Sequence, residues 1–249
     1  MNLSASPWRS LVALALTWAA GFVDALGYLL LNGIYAGNMS GNTVLIGVHA
    51  VDGDWRSASL HAATVGAFLV GLTLGGIAIR LLMNRGLRRV LAVAMALELA
   101  CLATLLFEGG ALLPGEGRPS GAGREIYLLI AAAAAAMGIQ NTSLRMADVL
   151  TVYTTHVTGA VTRFSEDAID FILGNRKETD AAGGRPKGKT HLRGALFAFG
   201  LWAAFLLGAT AAAYATARLG AGALAIPMAV ILLVGIADAA APLARTDPE

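Results

Sequence analysis

Six long apolar runs dominate this chain and restrict it to one broad fold class. They are separated by shorter, more polar segments and cover residues 10–31, 59–83, 87–113, 126–144, 194–217 and 221–243. A transmembrane α-helix needs about 20 apolar residues to cross the hydrocarbon core of a bilayer. Only 14% of the residues are charged, whereas a soluble domain carries about 25%. The sequence therefore predicts an all-α, polytopic membrane protein with six spans.

The same composition excludes a disordered chain, a coiled coil and an ordinary cytosolic enzyme. The sequence has no GxSxG, HExxH or Walker motif, so it gives no sign of a known class of enzyme. One cysteine, Cys101, and four scattered histidines provide neither an intrachain disulfide nor a typical zinc site. We therefore expect a protein that is not an enzyme and holds no cofactor or metal. Nucleic-acid binding is also disfavoured, since membrane topology accounts for the basic clusters.

The distribution of Lys and Arg predicts which loops are cytoplasmic, because cytoplasmic loops retain an excess of these residues. Four basic residues lie in residues 80–89, and six lie in residues 176–193. Both clusters can be inside if two polar segments, residues 32–51 and 149–173, are re-entrant and do not cross the membrane. If the second segment spans instead, the larger cluster moves outside. We therefore favour re-entrance, with both termini in the cytoplasm.

An internal repeat of about 117 residues divides the chain into two halves. Both halves contain, in the same order, a glycine, then Asp or Asn, and then Ser or Thr followed by glycine. These residues are Gly21, Asp24 and Ser40-Gly41 in the first half, and Gly138, Asn141 and Thr158-Gly159 in the second. Three spans per half is an odd number, so the second half enters the membrane in the opposite orientation, as in many transporters. We expect repeats at residues 1–113 and 125–249, an external loop at 114–124 and a cytoplasmic loop at 174–193.

Each repeat contains a short glycine-containing segment, which we call the first elbow (residues 38–42) and the second elbow (residues 155–159). Non-helical backbone persists in hydrocarbon only where it is buried in protein or faces a wet cavity. Gly41 and Gly159 permit close approach of the backbone, and Ser40 and Thr158 can cap the helices that follow. Such helices direct free N–H groups and a positive dipole end at the centre. We expect the elbows to meet at the midplane and to bind a small polar or ionic solute.

Asp24 is the most informative ionisable residue. An Asp at the centre of a membrane helix costs roughly 2.5 to 3.5 kcal/mol on insertion scales, and it usually faces a cavity or a partner. It either binds a proton, a cation or the substrate, or it is a structural carboxyl that is neutralised by burial or paired with Arg145. Tyr28 lies one turn further on the same face of the first span.

Neutral donors and acceptors around the elbows either contact the solute or satisfy the broken backbone. Intramembrane polar contacts often serve stability alone. Together with Asp24 and Tyr28, the predicted substrate-binding residues are Asn38, Ser40, Gly41, Asn42, Gln140, Asn141, Thr155, His156, Thr158 and Gly159.

Two further acids and one glycine pair lie within the apolar runs. Glu98 and Asp238 do not occupy matched positions in the repeat. Glu98 is a candidate relay group, and Asp238 is expected at the cytoplasmic interface. Gly71 and Gly75 have the small-xxx-small spacing that is typical of tight helix packing.

At these residues the sequence resembles the YoaK-like family of bacterial integral membrane proteins, a domain of unknown function. The resemblance covers essentially the whole chain and is strongest at residues 138–141 and 154–159, and at Asp24 with residues 38–42. The family commonly has Thr-Gly-Asn where this chain has Ser40-Gly41-Asn42, which keeps the hydroxyl. The resemblance implies a multi-span protein of the bacterial inner membrane, but it supplies no substrate or reaction.

Function must therefore be argued from the predicted site, and two classes remain open. The first is a transporter or channel-like permease for a small polar or ionic solute. The second is a non-transporting membrane scaffold or an intramembrane enzyme. Chains this small often bury their polar faces in homo-oligomers, so a second copy joins the lipid bilayer and the solute as an expected partner.

Overall fold

The computed structural model describes residues 7–87, 89–112, 123–146, 157–172 and 187–241. Every element in these ranges is helical: α1 (Pro7–Leu30), α2 (Met39–Val51), α3 (Trp55–Asn84), α4 (Val90–Leu112), α5 (Arg124–Met146), α6 (Val157–Ile172), α7 (Lys187–Leu219), a short 3-10 helix (Gly220–Leu224) and α8 (Ala225–Ala240). The predicted all-α class is confirmed for this part of the chain. Two predicted site residues, Thr155 and His156, lie outside the described residues.

Five helical stretches are long and apolar enough to cross a bilayer: Pro7–Leu30, Trp55–Asn84, Val90–Gly109, Arg124–Arg145 and His191–Ala240. The first four correspond to the first four predicted runs. The fifth and sixth runs fall in one continuous stretch, because the 3-10 helix joins α7 to α8. The chain is a multi-pass membrane protein. The polar segment 32–51 contains α2, whose 13 residues extend only about 20 Å.

The helices pack in a pattern that is the same for both halves of the chain. The most extensive contacts join α1 to α7 and α3 to α5, so each of these pairs takes one helix from each half. Helix α2 folds back on α3, and α6 folds back on α7. Helix α4 packs against α5, and α8 packs against α1 and also against α4. Exchanging the first four helices with the last four leaves these contacts unchanged, but among the described residues the contact of α3 with α4 has no counterpart between α7 and α8, which the 3-10 helix joins.

Glycines allow the backbones to touch in the two largest helix pairs. At four of them an added Cβ would overlap a backbone carbonyl of the facing helix: Gly21 against Phe205 and Gly208 against Trp18 between α1 and α7, and Gly71 against Ala135 and Gly138 against Phe68 between α3 and α5. Gly75 also lies against α5, where its Cβ would be 3.2 Å from the Cα of Ile139. The packing role predicted for Gly71 and Gly75 is therefore observed, and it joins the two halves.

The turn between α2 and α3 is closed by a capping carboxylate. Asp54 precedes the first residue of α3, and its Oδ1 accepts a hydrogen bond from the Ser57 N–H at 3.0 Å. This interaction with Ser57 holds the pKa of Asp54 below its usual value. Nδ1 of His49, in the last turn of α2, lies 3.6 Å from the other carboxylate oxygen. The hairpin of α2 and α3 is thus closed by polar contacts at its exposed end.

Asp238 lies near the end of α8 and is buried within the protein, and its expected position close to the cytoplasmic interface stays a prediction. It is fully excluded from solvent, and its Oδ2 accepts a hydrogen bond from the N–H of Ala92 at 2.8 Å. Ala92 lies in the first turn of α4, where N–H groups have no intrahelical partner. A carboxylate there satisfies such a donor and interacts favourably with the helix dipole. Asp238 therefore joins α8 to the start of α4.

Candidate functional site

The chain between α1 and α2 doubles back along α1. Asn32 and Gly33 have φ values of 55° and 79° and reverse the chain direction. The returning segment lies against Gly27, where an added Cβ would be 3.0 Å from one of its carbonyl oxygens. At Gly37 the chain has returned to the level of Asp24, and its N–H donates a hydrogen bond to Asp24 Oδ1. Helix α2 consequently starts at the level of Asp24, within the length of α1, and not at the level of the end of α1.

Asn38 caps α2. Its Oδ1 accepts a hydrogen bond from the N–H of Gly41 at 3.1 Å, and the hydroxyl of Ser40 donates to the same oxygen at 2.9 Å. The expectation that Ser40 caps this helix is wrong, because Ser40 already lies in the first turn. A capping side chain must precede the first helical residue to reach the N–H groups of that turn. Thr158 likewise lies inside α6, as its second residue.

Asn42 is fully buried and fixes the first elbow to α3. Its Nδ2 donates to the carbonyl of Tyr35 at 2.7 Å, and its Oδ1 accepts from the N–H of Tyr35 at 3.3 Å. The same Oδ1 lies 3.0 Å from Nδ1 of His61 on α3. Because both backbone groups of Tyr35 fix the orientation of the amide, Oδ1 is an acceptor and His61 Nδ1 is the donor. Asn42 is satisfied by these contacts and holds the elbow in place.

Tyr28 and Gly41 support the same segment. The rings of Tyr28 and Tyr35 stack with their centroids 5.2 Å apart, and Tyr28 is half-exposed. A Cβ at Gly41 would lie 3.1 Å from Nδ2 of Asn38 and 3.3 Å from the ring of Tyr35. Gly41 therefore gives these two side chains room to approach the first turn of α2.

A cavity of about 420 Å³ lies where the first turns of α2 and α6 meet. Its lining comes from both halves: Gly37, Asn38, Met39 and Ser40, then Val157, Thr158 and Gly159, and two aromatic residues, Phe68 and Phe205. The two aromatic residues lie near the middle of α3 and α7, so the cavity is about midway along these helices. Four predicted site residues are brought together here: Asn38, Ser40, Thr158 and Gly159.

Phe68 and Phe205 were missed from the sequence, although a second internal repeat marks them. Residues 67–73 read AFLVGLT and residues 204–210 read AFLLGAT, with five of the seven positions identical. The phenylalanine of each copy lines the cavity, and the glycine three residues later packs against the other half. This repeat lies in the third helix of each half, whereas the repeat used above lies in the first helix and the elbow.

Asp24 does not line the cavity but lies directly behind it. Its side chain is 3% exposed, and its Oδ1 accepts from Gly37, which does line the cavity. Its Oδ2 is buried and has no hydrogen-bond partner in the part of the chain that the structure describes. Arg145, considered above as a partner, is exposed in α5.

Gln140 and Asn141 are buried in α5 away from the cavity lining. Nε2 of Gln140 donates to Oε1 of Glu98 at 2.8 Å and thereby joins α5 to α4. Nδ2 of Asn141 donates to the carbonyl of Met137 at 2.9 Å. Glu98 is fully buried, and its Oε2 has no hydrogen-bond partner among the described residues. The polar pair of Gln140 and Glu98 thus connects helices within the bundle.

The family of the chain follows from a comparison with known protein families. The model of the family described as "Protein of unknown function (DUF1275)" matches residues 12–237. The chain belongs to this family. A relative is the UPF0700 transmembrane protein YoaK of Bacillus subtilis (strain 168), which is 27% identical over 165 residues, or 66% of this chain and 69% of YoaK. No solved structure matches the chain.

Membership of the DUF1275 family confirms the resemblance to YoaK-like membrane proteins. The printed name of YoaK, a transmembrane protein, agrees with the long apolar helices found here. The DUF1275 description assigns no activity. The function of this DUF1275 protein must therefore be inferred from the cavity and its surroundings.

Proposed function

We propose that this DUF1275 protein is a transporter or channel-like permease for a small polar or ionic solute. The observation that carries the proposal is the cavity between the first turns of α2 and α6, midway along α3 and α7. Ser40 and Thr158 both line this cavity, and the hydroxyl oxygen of Ser40, whose proton is donated to Asn38, can still accept a hydrogen bond from such a solute. Protein interiors are normally close-packed, so a cavity at the elbows favours a permease over a packed scaffold.

The proposal includes two oppositely oriented halves, each with a re-entrant elbow. Helices α1 and α7 run in the same direction, because Leu14 lies against Gly200 and Gly21 lies against Phe205 further along both helices. If α1 and α3 cross the membrane in opposite directions, as re-entrance of the first elbow requires, then α7 is inverted relative to α3. The unchanged helix contacts on exchange of the halves support this arrangement.

We expect reporter fusions to find both termini and residues 174–193 in the cytoplasm of the bacterial inner membrane. Green fluorescent protein fused at the C-terminus or inserted in residues 174–193 should fluoresce. Alkaline phosphatase inserted in residues 114–124 should be active, because that segment is external in the re-entrant arrangement. Active phosphatase in residues 174–193 would instead show that the second polar segment spans the membrane.

Gly159→Leu is expected to reduce solute flux at least tenfold. Gly159 lines the cavity, so the added side chain enters it. A solute that fills the cavity of the wild-type protein then has no room. The measurement is uptake into liposomes that contain purified protein, over a panel of radiolabelled amino acids, sugars and inorganic ions. The matched control is Gly66→Leu in α3, where an added Cβ has no atom within 4 Å, and its flux should equal that of the wild type.

Equal flux through Gly159→Leu and wild type would argue against this cavity as the route. A wild-type protein that is folded but moves no solute of the panel above the level of protein-free liposomes would favour the scaffold. The two outcomes are distinct, because the first requires measurable wild-type flux and the second requires none.

A further inference from the structure

One carboxylate oxygen of Asp24 has no hydrogen-bond partner among the residues that the structure describes. Oδ1 accepts a hydrogen bond from the N–H of Gly37 in the segment that returns along α1. Oδ2 is buried and has no partner in the described part of the chain. A buried polar atom without a partner is costly, and a buried charge is costlier still. A proton on Oδ2 removes the charge and its cost.

We propose that Asp24 binds the coupling proton of the transport cycle and that its protonation loosens the first elbow. The inference rests on the proposed function and extends it to the same cavity. Protonation forms an O–H bond at Oδ2 with a proton supplied by hydronium from the aqueous phase, which leaves water, and deprotonation returns the proton to water. The site is therefore a proton-binding site behind the solute cavity, joined to it by the backbone of Gly37.

The link between the proton and the cavity is the strength of the backbone hydrogen bonds. An ionised carboxylate accepts hydrogen bonds that are roughly twice as strong as those of a neutral group. Ionised Asp24 therefore holds Gly37 firmly, whereas protonated Asp24 holds it weakly. Because Gly37 and Asn38 line the cavity, the position of its wall depends on the protonation state of Asp24.

The two halves of the chain differ at the position of Asp24, so the repeat provides this proton-binding carboxyl group once and not twice. Asn141 occupies the position of the second repeat that corresponds to Asp24. An amide does not titrate near neutral pH, but it presents an acceptor oxygen of similar size. Asn141 also shows that the repeat accepts an amide here, so Asp24→Asn is the least disruptive substitution for a test.

Several helices pack against α1 and carry other titratable groups. In the described residues, none of these groups is a second carboxyl group beside Asp24. Tyr35 in the returning segment is partly exposed and stacks on Tyr28 of α1. On α7, Tyr214 is exposed with Arg218 stacked on its ring, and on α8 Asp238 is bonded to Ala92. The 3-10 helix has no titratable group, and the remaining groups lie near helix ends: Lys187, Lys189, His191 and Arg193 on α7, and Arg124, Glu125, Tyr127 and Arg145 on α5.

The first test follows the elbow with pH and needs no transported solute. Met39 lines the cavity, and Met39→Cys in a Cys101→Ala background provides the only thiol. The rate of its modification by a small methanethiosulfonate reagent is measured in liposomes at about pH 5 and about pH 8 and corrected for thiol ionisation. We expect a change of at least threefold in this background, none on adding Asp24→Asn, and the same threefold change on adding Glu98→Gln.

The second test uses the wild-type protein and avoids any effect of substitution on folding. Infrared difference spectra between acidic and alkaline pH are recorded with and without ¹³C-labelled aspartate. We expect a protonated carboxyl band in the acidic state that shifts on aspartate labelling, which distinguishes it from Glu98. Absence of a shifting band, or a corrected Met39→Cys rate that does not change with pH or changes equally in Asp24→Asn, overturns the proton site.

Failure of this inference is distinguishable from failure of the proposed function. Solute flux together with a pH-insensitive elbow overturns the proton site and leaves the permease. A pH-sensitive elbow together with no flux of any solute overturns the permease, and with it the transport role of the proton, while the proton-binding site at Asp24 remains.

Discussion

Gly208→Ala is expected to lower the free energy of unfolding by about 3 kcal/mol, because the new methyl group overpacks the contact between α1 and α7. The Cβ of this alanine would overlap the backbone carbonyl of Trp18. A carbonyl in a helix cannot rotate away as a side chain can, so the two helices must separate. Separation would also disturb the contact of Gly21 with Phe205 and the cavity wall beside it. Reversible unfolding in mixed micelles of mild detergent and dodecyl sulfate measures the change.

Gly66→Ala is the matched control for this substitution. It also replaces a glycine within a long helix, but no atom lies within 4 Å of the added Cβ. Alanine is the better helix former by about 1 kcal/mol, so Gly66→Ala should leave stability unchanged or raise it. Gly71→Ala should behave like Gly208→Ala, since its Cβ would overlap the carbonyl of Ala135 on α5. Equal stability of Gly208→Ala and Gly66→Ala would refute the close contact.

Asn42→Leu is expected to destabilise the protein by about 3 kcal/mol, since it leaves several buried polar groups without partners. The carbonyl and N–H of Tyr35 both bond to the Asn42 amide, and Nδ1 of His61 donates to the same oxygen. Tyr35 lies in a non-helical segment, so its backbone groups have no helical hydrogen bonds to replace those lost. The same unfolding measurement applies, and thiol modification of Met39→Cys should become faster as the elbow loosens.

The neighbouring substitution Thr43→Val provides the control for Asn42→Leu. The Thr43 hydroxyl is exposed and donates to the carbonyl of Met39 in its own helix. Its loss leaves no buried group unpaired, so the change in stability should stay within about 0.5 kcal/mol. If Asn42→Leu were as stable as Thr43→Val, the network of Asn42, Tyr35 and His61 would not hold the elbow.

The sequence predicts the membrane helices well because long apolar runs have few alternative structures. The runs at residues 10–31 and 59–83 match α1 and α3 closely. The separation of the fifth and sixth runs is less distinct, because the 3-10 helix continues the helical path from α7 into α8. Apolar composition specifies that a segment enters the bilayer, but it does not specify a break between two helices where both sides are apolar.

The residues of the site were predicted less completely than the helices. Recurrence of Ser40-Gly41 and Thr158-Gly159 indicated the elbows, and the structure brings their first turns to one cavity. The roles of single polar residues depend on neighbours that are distant in sequence: Gln140 bonds to Glu98, and Asn42 bonds to His61. Such pairs cannot be read from one chain. The cap of α2 was also assigned wrongly, to Ser40 and not to Asn38. The position of a cap depends on the residue at which the helix begins, and the sequence does not specify that residue closely enough.

The polar attachment of Asn42 to His61 is replaced by apolar residues at the corresponding described positions of the second half, so α2 and α6 are held to their neighbouring helices in different ways. The corresponding positions, from the two repeats, are Ala160 on α6 and Ala198 on α7, and both are buried. Hydrogen bonds hold two helices in one register, whereas methyl groups tolerate small sliding movements at little cost. The first elbow is therefore held more firmly than the start of α6, whose amide hydrogens should exchange with deuterium sooner.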